Sequence, residues 1–256
     1  MKKIILSIIL ALVVLSCQNI TKKENAIETS SAKNINNNEY DETEDELDDD
    51  FLDVPDSEVV YPKTGSKAED FLPVSGIFEI QFETSGDLNN DGLNDIAIVL
   101  VQKEIKTATR PMLVLLQNKD KTYRLDKVSN TVMPIEYNDS DYKIYDTEDI
   151  NIENGTLNIR LYGTGPSGNI FSDFKYFDND LILIYIETYN SGAGSWSQLY
   201  YDLEKAEITQ VVTNTMEEST PTEEKTLKLP KKIYKFENAS PGDIIIETYK
   251  IVDIEW

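Results

Sequence analysis

Residues 86–95 read Gly-Asp-Leu-Asn-Asn-Asp-Gly-Leu-Asn-Asp, which sets oxygen-bearing side chains at Asp87, Asn89 and Asp91 and again at Asp95. A hard dication such as Ca2+ takes about six to eight oxygen ligands, and alternate residues of a tight loop can aim three side chains at one point. Gly92, directly after Asp91, permits the sharp turn that such a loop needs. The carbonyl of Leu93 would add a backbone oxygen, and Asp95 could bind through both of its oxygens and close the shell. Without a metal, those carboxylates would repel one another. The same residues are also good turn formers, so an Asn/Asp/Gly turn that binds nothing is the competing reading.

A loop of this kind has to be held by the elements on either side of it. The EF-hand places a helix after its loop and a glutamate at the twelfth position. Here Ile98 occupies that position and the apolar run 96–101 reads as a strand, which disfavours an EF-hand. The segment more closely resembles the Asp-x-Asp-x-Asp-Gly-x-x-Asp loops between strands of FG-GAP and VCBS-type extracellular β repeats, with Asn89 in place of the second aspartate. That resemblance implies a structural calcium ion, held more weakly than by an all-aspartate loop. The sequence contains no second copy of the loop. Its order, continuing into Ile96-Ala-Ile-Val-Leu, Arg110-Pro-Met-Leu-Val-Leu-Leu and the hairpin around residue 155, also resembles a group of uncharacterised bacterial lipoproteins, which implies an architecture but no activity.

Short apolar or alternating runs follow one another from about residue 65, separated by Gly, Asn and Asp turns, as in an all-β domain. Strands are expected at 77–82, 96–101, 112–116, 123–125, 157–162, 171–177, 181–189, 198–203, 208–212 and 243–248. Ile150 and Ile152 alternate with polar residues, Asn154-Gly155 suits a type I′ turn, and Leu157, Ile159 and Leu161 return on the same face. Phe177-Asp-Asn-Asp-Leu181 suggests a second hairpin. Outside the N-terminal apolar run, no window keeps the apolar spacing of an amphipathic helix, so few helices are expected, and 216–232 reads as a loop. The expected fold is mostly β: an antiparallel sheet or meander, sandwich-like or partial-barrel-like, over residues 65–256.

The chain has no histidine, which removes the commonest general base, the commonest transition-metal ligand and every Ser-His or Cys-His nucleophile. Carboxylate chemistry survives that exclusion. Asp173, Asp178, Asp180 and Glu187 could supply the pair that a glycan hydrolase needs, although acids on strands and turns of an acidic chain are usually solvated. Two glycine-rich stretches, 162–169 and 190–196, lack the Lys-Ser/Thr of a phosphate loop. Trp196, Tyr189 and Tyr200, with Tyr201, surround the second stretch. Flat rings beside small polar residues suit sugars or extended peptides, while rings packed into the core are the plainer reading.

The chain opens Met-Lys-Lys, continues as an apolar run to Leu15 that is too short to span a bilayer, and turns polar at Gln18. Val14-Leu-Ser-Cys17 resembles the lipobox of bacterial lipoproteins. That resemblance implies removal of residues 1–16 and acylation of Cys17, with several acyl chains giving a lasting membrane anchor. Cys17 is the only cysteine, so no intramolecular disulfide is possible. Residues 17–64 read as the lipidated cysteine and a disordered acidic tether, since 39–58 hold twelve Asp or Glu and no Lys or Arg. A weak calcium buffer or a tail for a basic partner is the sharper reading of that run.

The chain of 256 residues carries 47 acids and 24 bases, a net charge of -23, which disfavours nucleic acid as a partner. These features lead to the expectation of a lipid-anchored envelope protein that is not an enzyme. It would be a monomeric binding or assembly module for an envelope protein or glycan, facing the periplasm or the surface, with the outer membrane preferred because Gln18 is not the aspartate of inner-membrane retention. A carboxylate-dependent glycan hydrolase and a periplasmic inhibitor or chaperone-like module are the alternatives.

Overall fold

The computed structural model describes residues 59–164 and 168–251. Cys17, the signal segment and the tether up to residue 58 lie outside the described residues. So do Gly165, Pro166 and Ser167 of the first glycine-rich stretch.

The described chain forms two antiparallel sheets, in keeping with the mostly-β expectation. The smaller sheet contains β1 (Thr64–Gly65), β2 (Phe78–Gly86), β3 (Asp95–Gln102), β4 (Met112–Gln117) and β5 (Tyr123–Ser129), in the order β1-β5-β4-β3-β2. The larger is a seven-stranded meander curled like half a barrel. It runs from β6 (Thr147–Glu153) and β7 (Thr156–Tyr162) through β8 (Asn169–Phe177) and β9 (Asp180–Gly192) to β10 (Ser195–Asp202), β11 (Glu207–Asn214) and β12 (Thr222–Lys228).

Continuous apolar runs in β3 and β4 follow from burial on both faces. Ala97, Val99, Met112 and Val114 face the large sheet and join a core with Ile150, Ile159, Phe174, Leu183, Leu199 and Tyr201. Ile98, Leu100, Leu113 and Leu115 face the other way, where Tyr61, Ala68 and Phe71 cover them. Val59 and Tyr61 thus pack against the domain and Thr64 pairs with Arg124, so the domain begins before residue 65, within the segment read as tether. The turn chemistry at residue 155 holds. Asn154 and Gly155 have φ of 54° and 71°, and Ile152 pairs with Leu157.

Two expectations fail. Residues 243–248 are not a strand but part of helix α1 (Pro241–Ile251), the only α-helix among the described residues. Three consecutive isoleucines, 244–246, imitate a strand, but Ile244, Ile245 and Thr248 are buried while Ile246 is exposed, which is a helical pattern. Its start is legible in hindsight: Ser240 caps, Pro241 occupies the first turn, and Asp243 favours the N-terminal end of the dipole. Within the supposed loop 216–232 lies β12, whose residues are nearly all exposed and which pairs with β11 from Thr213↔Thr222 to Glu207↔Lys228. This edge strand carries almost no apolar face to detect, and its charges protect it from pairing with another chain.

A buried ion pair ties the loop before β4 to the large sheet. The Arg110 guanidinium is fully buried and forks onto Glu148 of β6, at 2.5 and 2.8 Å, while also donating to the Pro134 carbonyl at 2.7 Å and Gln81 at 3.1 Å. The β2–β3 register skips at Gln81, and that bulge accompanies the contact of its amide with Arg110.

Candidate functional site

The Asp87 loop connects β2 to β3, as the strand-loop-strand reading requires. Asn90 and Gly92 adopt φ of 59° and 84°, and the loop folds on its own side-chain oxygens. Asp91 N–H donates to Asp87 Oδ1 and to Asn89 Oδ1, each at 3.0 Å, Gly92 N–H to Asp87 Oδ2 at 3.0 Å, and Leu93 N–H to Asp91 Oδ1 at 2.9 Å. Asn89 Nδ2 donates to Asp91 Oδ2 at 3.0 Å. These nested Asx turns gather Asp87, Asn89 and Asp91 on an exposed loop, and every side-chain donor available to a cation is a hard oxygen.

Asp95 stands apart from them. It is fully buried at the start of β3, where Oδ2 accepts from Leu88 N–H at 3.0 Å and Asn89 N–H at 3.3 Å, and Oδ1 accepts from Gln117 N–H at 3.0 Å. Burial raises its pKa against the lowering effect of those three backbone donors. Asp95 ties the loop to β4, and one lone pair on Oδ1 beyond the Gln117 bond is what it has left to offer a metal. Among the described residues no three Asp, Glu, His or Cys side chains gather at metal-binding spacing. The loop also touches the large sheet: a Cβ added to Gly86 would meet Ile152 at 2.7 Å, and one added to Gly155 would meet Asn90 at 2.5 Å. The loop therefore sits on the β6–β7 hairpin, and glycine at both places is what permits the approach.

The aromatic residues are divided by strand alternation. Leu199 and Tyr201 of β10 point into the core, so Tyr201 is a packing residue. Trp196 and Tyr200 lie on the opposite, outer face, and Trp196 is about half exposed at 47%. Tyr189 of β9, which pairs with Gln198, shares that face. The second glycine-rich stretch is less a loop than the end of this hairpin, closing in the two-residue turn Ala193-Gly194 between Gly192 and Ser195.

More rings join these three. Glu187 of β9 is flanked along its strand by Tyr185 and Tyr189, and across the ladders by Tyr200 of β10 and Phe171 of β8. Its four nearest neighbours on the outer face are thus aromatic. Beyond Phe171, Arg160 of β7 places its guanidinium over that ring at 5.4 Å and pairs with Asp173 at 2.7 Å, while Tyr162 meets Phe171 edge-on at 5.0 Å. Burial pushes the Tyr185 hydroxyl up to about 12, helped by the Glu187 carboxylate. Burial also raises Tyr200, helped by Glu187 and Glu224. Single residues such as Tyr185 and Phe171 carry no signal by themselves. Reading the 171–177 and 181–189 runs as paired strands with one face outward would have brought them together.

Two of the four candidate carboxylates, Asp173 and Glu187, are diagonal neighbours on the outer face, and the other two lie at the β8–β9 turn. Asp173 is engaged by Arg160, Asp180 is held by Lys235 at 2.7 Å at the turn end of β9, and Asp178 lies in that turn with φ of 53°. No protein-family model matches this chain, and no curated protein or solved structure gives a significant match to it.

Proposed function

We propose that this chain is an exported lipoprotein, anchored through Cys17, whose β domain is a non-catalytic binding or assembly module of the cell envelope. The observation that carries the reading is the outer face of the large sheet. The small sheet and α1 pack on the opposite face, leaving half-buried aromatic rings interleaved with Glu187, Gln198 and Arg160 outward. Such a face is costly to keep in water unless it meets a partner. Calcium is the proposed structural ion of the Asp87 loop. Asp87, Asn89 and Asp91 would hold it, with the Leu93 carbonyl and Asp95 as supporting groups, and it would neutralise charge and fix the loop against the β6–β7 hairpin.

Two comparisons test this. Expressed with Cys17, the full chain should sediment with membranes, and the Cys17→Ser variant should be soluble; a soluble wild type would end the anchor reading. The unacylated Cys17→Ser chain should cosediment with washed cell envelopes, and Tyr200→Ala should abolish this without lowering the unfolding midpoint appreciably. Equal cosedimentation of both would remove the outer face as the binding surface.

A further inference from the structure

Glu187 and Asp173 are diagonal neighbours on the outer face, and the two carboxylates are treated differently. Asp173 has a cation of its own: Arg160 Nη1 lies 2.7 Å from its Oδ1 as an ion pair, while the guanidinium donates its hydrogen bonds to Asn158 Oδ1 and the Ile159 and Ser172 carbonyls and sits 5.4 Å from the Phe171 ring centre. Glu187 has the corresponding carboxylate and more rings, namely Tyr185, Tyr189, Tyr200 and Phe171. Among the described residues no Lys or Arg forms an ion pair with it. We infer that the Glu187 frame is a docking point for an arginine side chain of a basic, extended peptide segment of a partner protein.

Charge and shape both favour this occupant. A carboxylate among π faces attracts a cation, and the guanidinium is the cation that can pair with an acid through its edge while stacking flat on a ring. In the neighbouring row Arg160 supplies such a cation from within the chain, ion-paired with Asp173 and close to the Phe171 ring. Other acids on the outer face, Glu224 and Asp149, and the net charge of -23 steer basic partners towards the domain and repel anionic glycans and phosphates. Neutral glycans would use the rings but leave Glu187 without a counter-charge. The occupant is therefore a peptide, and the inference rests on the binding-module reading above.

The test uses the full mature chain with Cys17→Ser and a fluorescein-labelled peptide, acetyl-Gly-Arg-Gly-Arg-Gly-Arg-Gly-amide, titrated at physiological salt with calcium present. Glu187→Gln should weaken the tight phase about tenfold, and a lysine version of the peptide should bind the wild type several-fold more weakly. Glu224→Gln removes the same charge from the face but outside the frame and should change affinity by less than about twofold. Peptide held by the acidic run 39–58 appears as a weak phase common to all variants. Equal loss in Glu187→Gln and Glu224→Gln, or no loss in either, would overturn the inference. Binding of cellohexaose that depends on Tyr200, with no tight peptide phase, would overturn the arginine site while leaving a binding module. Failure of the folded protein to bind either probe would count against both.

Discussion

β3 and β9 are both antiparallel strands with a sheet neighbour on either side, and they differ in what their two faces meet. In β3 only Val101 escapes full burial, because the large sheet covers one face and the 59–72 segment the other. In β9 the faces separate: Leu181, Leu183, Ile186 and Thr188 point inward, and Tyr185, Glu187 and Tyr189 stand on the outer side beside Tyr200 and Phe171. Residues of β3 are accounted for by stability alone. Those of the outer side of β9 are not, since a sheet face in water is served as well by Thr, Lys and Glu, which is what β12 uses. The half-buried rings on that outer face are what the proposed binding role rests on.

That contrast can be broken most severely where the sheets join. Glu148→Ala leaves the buried Arg110 guanidinium without its carboxylate and should cost about 3 to 5 kcal/mol in denaturant unfolding. Replacing Arg110 and Glu148 together with Met and Leu should recover most of that loss, because the penalty comes from an unpaired buried charge. Leu113→Ala, in the strand buried on both faces, should cost about 2 to 5 kcal/mol. Calcium at a hundredfold excess over its dissociation constant should stabilise the wild type by about 2.7 kcal/mol, seen as a rise of several degrees in the melting midpoint. Asp91→Ala should abolish that rise, and equal midpoints for wild type with calcium and with chelator would reduce the loop to a turn. At the small end, Tyr200→Ala on the outer face should cost about 1 kcal/mol or less.

How much of this was legible in the sequence follows the same division. Strands with an apolar face, from 96–101 to 208–212, could be found by alternation or by unbroken apolar runs, and the Asn154-Gly155 hairpin was readable to the residue. β12 was not, since pairing along an edge needs only backbone groups and Thr222–Lys228 buries almost no side chain. α1 is hidden because three consecutive isoleucines favour a strand locally, whereas the Ser240-Pro241 start and the tertiary burial of Ile244, Ile245 and Thr248 make it a helix. The Asp87 loop was visible as a motif, but the tie that Asp95 makes to β4 was not, because the donor to its Oδ1 is Gln117 N–H, which lies 22 residues away. In the sequence, Trp196, Tyr189 and Tyr200 stand out only by nearness to a glycine-rich turn. Their common face with Glu187 depends on register across β8, β9 and β10, which spacing along one strand does not contain.

If the outer face of the large sheet serves a partner and not the fold, substitutions there should cost binding and leave stability nearly unchanged. The most direct measurement takes Tyr200→Ala and Glu187→Gln, in the unacylated full chain, and records for each both the unfolding free energy and the cosedimentation with washed envelopes. The account predicts that each variant unfolds within about 1 kcal/mol of wild type and loses binding. Variants that unfold as readily as Leu113→Ala, or that still bind envelopes as the wild type does, would contradict it.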